Sequence, residues 1–216
     1  YLKSQSGTYR SLYGDKLKKV NFWNQEDLQN GRVFESDVPI ETRVLIDMYS
    51  DSNEPSTGHR EVFFDIEVED GFPEPSKAEN KITAIALYDK TADSYHCYVL
   101  GDVPNTDVVE SFKSEEELLQ RFYQKYLEIN PTILSGWNID GFDIPYLYNR
   151  TTRVLGQQFA NALSPIGEVY YNERQNRFKI AGVSCLDYLK LYRLFTYTQQ
   201  SSYRLDYIGQ LEVGLG

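Results

Sequence analysis

Val62-Phe63-Phe64-Asp65-Ile66-Glu67-Val68 sets two carboxylates into a run that is otherwise apolar. On an extended strand, residues i and i+2 project from one face, so Asp65 and Glu67 point one way while Phe64, Ile66 and Val68 point the other. Two anions held that close repel each other. A divalent cation between them relieves the repulsion, and hard oxygen ligands of this kind suit Mg²⁺ or Mn²⁺. A half-exposed edge strand with an acidic outer face would carry the same pattern, so the choice turns on the rest of the chain.

A second acidic segment lies downstream, Ser135-Gly136-Trp137-Asn138-Ile139-Asp140-Gly141-Phe142-Asp143-Ile144-Pro145-Tyr146. A short apolar strand over 132–134 runs into this polar, glycine-containing turn, and the pattern predicts a helix over 142–155. Asp143 then falls in the first helical turn, where the macrodipole favours an anion and the side chain can face a metal held by another strand.

These two segments resemble the first two exonuclease motifs, D-x-E and N-x(2,3)-F-D, of the DEDD exonucleases as they occur in family B DNA polymerases. Three stretches are similar to the replicative polymerases of T-even-type tailed phages. They are Asp70-Gly71-Phe72-Pro73-Glu74-Pro75-Ser76, then Gly136-Trp137-Asn138 with Phe142-Asp143-Ile144-Pro145-Tyr146, and Leu186-Asp187-Tyr188 through Ser202-Tyr203-Arg204-Leu205-Asp206-Tyr207. The resemblance covers residues 31–214.

The resemblance implies an α/β, RNase H-like fold, with a mixed sheet flanked by helices, a partial N-terminal lead-in and a β-hairpin insertion. It implies proofreading in DNA replication, in which nucleotides leave the 3′ end of a primer strand through hydrolysis assisted by two divalent cations, Mg²⁺ or Mn²⁺. Asp65 would bridge both metals, Glu67 would bind the one that activates water, and Asp143 would hold the other. By the same resemblance Phe72 would stack on the terminal bases, while Asn138 and Phe142 shape the pocket. The implied partners are the single-stranded 3′ end of a DNA primer and the remainder of a polymerase chain. The implied setting is the cytoplasm of a phage-infected bacterium.

A third family motif, Tyr-x-x-x-Asp, carries the fourth carboxylate and in the phage-type enzymes lies beyond a helix like the one that opens near Tyr203, so it is expected to fall past Gly216. Tyr203-Arg204-Leu205-Asp206 has the wrong spacing, so Asp206 reads as a surface or capping acid. Asp187 reads as an ordinary helix N-terminal residue. The expectation is a piece of a longer enzyme, weak or inactive on its own. Two alternatives stay open: a non-catalytic nucleic-acid-binding scaffold with the same fold, and a free-standing nuclease.

Composition agrees with a globular chain. The 216 residues include 18 Tyr and are 41% hydrophobic, which excludes general disorder. A net charge of −10 argues against a strong basic footprint for nucleic acid, although an acidic metal site contributes negative charge by design. Cys97 and Cys185 lack paired spacing, so neither a disulfide nor a zinc site is expected. No stretch reaches membrane-spanning length.

Two domains are expected, a lead-in over 1–58 and a nuclease domain over 59–216. The lead-in holds a short helix over 25–29 and strand-like alternation in Arg32-Val33-Phe34 and Thr42-Arg43-Val44-Leu45-Ile46. Strands over 82–88 and 95–100 make a meander with the acidic strand. Ser114 opens a helix with a capping box, and Leu118, Leu119, Phe122, Tyr126 and Leu127 recur on its core face. Two alternating runs around 172–176 form a hairpin whose Arg174, Arg177 and Lys179 give it a local positive sign. In the family that hairpin parts template from primer.

Overall fold

The computed structural model describes residues 1–69 and 73–214. Contacts divide the chain into two units, Tyr1–Ser56 and Thr57–Gly216. In the first, β1 (Leu2–Lys3), β2 (Tyr9–Arg10) and β3 (Lys16–Lys18) form an antiparallel sheet with β3 in the centre. Helix α1 (Gln25–Gln29) starts where expected, because the Asn24 side chain accepts the Asp27 N–H at 2.8 Å.

The strand-like alternation over 32–46 is overturned. Val33 makes only an isolated bridge to Leu2, and Ile40–Tyr49 is a helix, α2, with Pro39 at its N-cap. The β-branched residues there imitate a strand. Helical spacing, however, brings Arg43 to within 3.0 Å of Asp47 one turn on, and no residue of α2 is buried, so no core face selects an alternating register.

The second unit is built on a mixed sheet. Its elements in order are β4 (Glu61–Val68), β5 (Ile82–Asp89), β6 (Ser94–Leu100), β7 (Val109–Phe112), α3 (Glu115–Ile129), β8 (Ile133–Gly136), α4 (Asp143–Leu155) and α5 (Gln157–Ala160). There follow β9 (Val169–Asn172), β10 (Arg177–Ile180), β11 (Ser184–Asp187), α6 (Tyr188–Phe195) and α7 (Leu205–Val213). Six strands pair in the order β11-β8-β4-β5-β6-β7. The β4–β5 and β5–β6 pairs are antiparallel and the others parallel. This is the RNase H-like arrangement, and β9 and β10 make the separate antiparallel hairpin. Strand β7 was not anticipated.

Alternation along β4 buries Val62, Phe64 and Ile66 and leaves Asp65 and Glu67 exposed. Helix α3 covers the buried face with Leu118, Leu119, Phe122, Tyr123 and Tyr126. Leu127, expected in that stripe, is 54% exposed and Tyr123 takes its place. The Ser114 hydroxyl caps α3 by accepting the Glu117 N–H at 3.3 Å. Helix α4 adds Ile144, Leu147, Tyr148 and Thr151 at i, i+3, i+4 and i+7. Among the described residues no helix is long and apolar enough to cross a membrane.

One ion pair ties these layers together. Arg150 on α4 donates Nε and Nη2 to Glu115 at 2.8 and 2.6 Å, and Nη1 to the carbonyls of Ala78 and Glu79. Glu115 also accepts the Ile82 N–H at the start of β5. Arg150→Ala strands a buried carboxylate, so it should destabilise the domain by roughly 3–5 kcal/mol in urea denaturation. A loss below about 1 kcal/mol, the range of an exposed pair, would show that the pair is dispensable.

Candidate active site

Strand β8 pairs with β4 only opposite Glu61, Val62 and Phe63. Beyond Phe63 that edge of β4 needs another partner, and the chain supplies one by turning back over it. At Gly136 it passes so close that a Cβ would lie 2.4 Å from the Phe64 carbonyl oxygen, which only glycine permits. Asn138 then takes a left-handed conformation, φ 62°, and its carbonyl accepts the Gly141 and Phe142 N–H groups, each at 3.0 Å. This turn opens α4 and aims Asp143 at the strand. The Asp143 Oδ1 accepts the Ile66 N–H at 3.1 Å, completing the edge that β8 leaves.

The result is a carboxyl that is only 3% exposed beside two others. Burial first, and the Asp65 charge second, push Asp143 up to about 7, against the pull of the Ile66 hydrogen bond. Solvent reaches Asp65, yet neighbouring atoms strip part of its water. That desolvation, followed by the Glu67 charge, raises it above the ordinary carboxyl value, while a hydrogen bond from Asp143 works in the other direction. Asp143 thus holds a proton more tightly than an ordinary carboxyl does.

The donor set of carboxylate oxygens is that of a hard divalent ion. Opposite Asp65 and Glu67 on β5 stand Ala86 and Ala84, which leave room above the acids. Among the described residues, no three His, Cys, Asp or Glu side chains form a ready cage for a metal. The structure therefore brings Asp65 and Asp143 together, with Glu67 beside Asp65.

The remaining expected residues separate. Phe142 stacks on Tyr146, ring centroids 5.4 Å apart, and the Asn138 side chain folds over Gly141. Arg174 is exposed on the hairpin turn, whereas Arg177 turns inward to Asp140 at 3.3 Å. Phe72 lies outside the described residues. Asp187 caps α6 by accepting the Leu189 and Lys190 N–H groups, as expected, and Asp206 is a surface acid paired with Arg204.

Two features were missed. Asp187 also accepts the N–H groups of Asn138 and Asp140, at 3.1 and 3.2 Å, so it supports the turn that carries Asp143. A cavity of about 340 Å³ opens beside Asp65, with Phe63, Ala86, Tyr88, Tyr95, Trp137 and Leu205 in its walls. Tyr88 stacks on Tyr95 at 4.5 Å and neighbours Phe63 at 6.2 Å. Pairing β4 with β5 in register would have put these rings on the acidic face; the alternation within each strand was already legible.

Comparison with known proteins places this geometry in context. Residues 19–208 match the model of the DNA polymerase family B exonuclease domain. The chain is 31% identical to the DNA-directed DNA polymerase of Escherichia phage RB69, over 99% of this chain and 29% of that protein. Its identity to the DNA-directed DNA polymerase of Enterobacteria phage T4 is 28%, over 98% of this chain and 28% of the relative. A DNA polymerase catalytic subunit of Human herpesvirus 8 is 28% identical over 70% of this chain and 17% of its own length. The chain thus spans less than a third of the length of the phage relatives.

The state of Asp143 makes stability depend on pH. Because its folded value lies above the ordinary one, the folded state holds this proton more tightly than the unfolded chain, and stability falls as pH rises toward and through about 7. In chelator, Asp143→Asn should therefore stabilise the domain by roughly 2–4 kcal/mol near pH 8 and by much less near pH 5. Thermal melts across that range check it. A difference that does not change with pH would contradict the assignment.

Proposed function

The chain belongs to the exonuclease-domain family of the family B DNA polymerases, and on that premise we propose that it removes nucleotides from the 3′ end of a DNA primer strand, as the proofreading part of a longer polymerase. The observation that carries this is the buried Asp143 carboxyl, held on the Ile66 N–H of the same strand that presents Asp65 and Glu67. Asp65, Glu67 and Asp143 would hold Mg²⁺ or Mn²⁺. Bound there, the cations supply a deprotonated water and neutralise charge at the scissile phosphate.

The protein's own residues do the rest. Asp143 would release its proton to solvent on taking a metal, and its bond to the Ile66 N–H keeps the carboxylate in place. Hydrolysis adds the elements of water across the phosphorus–O3′ bond, releasing a nucleoside 5′-monophosphate and a primer shortened by one residue. Asn138 and Phe142 wall the pocket, and Arg174 on the open hairpin turn meets a strand phosphate. Phe72 stacks on the terminal bases, an assignment that rests on the family resemblance. With a net charge of −10, the chain binds single-stranded ends weakly and needs the cation to do so.

Two measurements on the chain test this. Calorimetric titration with Mn²⁺ should give heat that Asp65→Ala abolishes. Removal of nucleotides from a 3′ end, however slow, should require Mn²⁺ and fall roughly 10²-fold or more in the same variant. Absence of any Asp65-dependent heat would favour a non-catalytic scaffold instead.

A further inference from the structure

Asp140 is a buried acid outside the metal group. Its side chain is 2% exposed, yet it receives two cations from different elements. Its Oδ2 accepts Arg177 Nη1 from β10 at 3.3 Å and Lys190 Nζ from α6 at 2.6 Å. Asp140 stands in the turn that presents Asp143, and its own N–H is held by Asp187. Arg177 pairs with Asn172 across the hairpin at the last rung before the turn, and its Nε reaches Gln175 within that turn at 3.3 Å. The guanidinium thus joins the hairpin turn to the metal-bearing turn through a single side chain.

The two cations do not hold Asp140 equally. Lys190 is 56% exposed, so water screens its charge. Arg177 is 26% exposed, and its planar fork spans Gln175 and Asp140 together. Of the two cations only Arg177 stands on the hairpin, so a displaced hairpin would reach Asp140, and through it the turn that aims Asp143 at Ile66, by way of that guanidinium.

We propose that Arg177 and Asp140 are positioning residues that couple the hairpin to the metal-holding turn, so that hairpin position sets how well Asp65 and Asp143 hold a divalent cation. This rests on the nuclease function proposed above and adds its regulation by the hairpin. Neither residue touches the reacting atoms; both act through Asp143.

The test is Mn²⁺ affinity, measured by calorimetry well below the melting temperature. Arg177→Ala should weaken Mn²⁺ binding about 3- to 10-fold although Arg177 is not a ligand. Arg177→Lys should restore part of the loss, and Arg204→Ala, which removes an equal charge at an exposed site, should change nothing. In a double-mutant cycle, Arg177→Ala should add no further loss to Asp140→Asn. If Asp140→Asn fails to fold, the Ala and Lys variants of Arg177 decide alone. Affinity in Arg177→Ala equal to that in Arg204→Ala, with Asp65→Ala still abolishing binding, would overturn the coupling and leave the nuclease reading standing. Absence of Asp65-dependent binding in the unaltered chain would remove that reading, and the coupling with it.

Discussion

One hydrogen bond, from the Ile66 N–H to the Asp143 carboxyl, organises the acidic end of this sheet. Strand β8 leaves β4 after Phe63, and an unpaired strand edge inside a domain needs a partner. The chain meets that need with a carboxyl instead of a backbone carbonyl. The same group that completes the sheet thereby stands next to Asp65, which faces the open side. Fold closure and assembly of the acidic site are a single event, and removing one disturbs the other.

That economy has an electrostatic consequence. A carboxyl that is buried and faced by another binds a proton more tightly than usual, and a cation can stand in that proton's place. The small side chains Ala84 and Ala86 keep the space above the acids open. The aromatic wall of Phe63, Tyr88 and Tyr95 bounds it on one side. Around the metal-bearing turn lies a second tier of charge, in which Asp187 receives backbone N–H groups while Asp140 gathers Arg177 and Lys190.

Much of this was legible in the chain, for reasons specific to each element. The Asp65–Glu67 strand declares itself because a period of two is unambiguous over seven residues. Helix α4 declares itself because its turn and first-turn acid are local signals. Helix α2 was misread because none of its residues is buried, so no core face corrected the strand-like composition of 42–46. Strand β7 escaped because Val109-Glu110-Ser111-Phe112 is short and half polar, and it forms only by parallel pairing with β6. The role of Asp140 was beyond reach, since its partners lie 37 and 50 residues away and belong to a hairpin and a helix whose relative placement no local pattern states.

On the function proposed, Asp65 and Asp143 stand together because a divalent cation belongs between them. Anomalous diffraction at the manganese edge, on crystals of this chain soaked in Mn²⁺, tests it most directly. An anomalous peak in contact with carboxylate oxygens of both residues is expected, absent in Asp65→Ala crystals. Clear density for both side chains with no peak between them at saturating Mn²⁺ would contradict it.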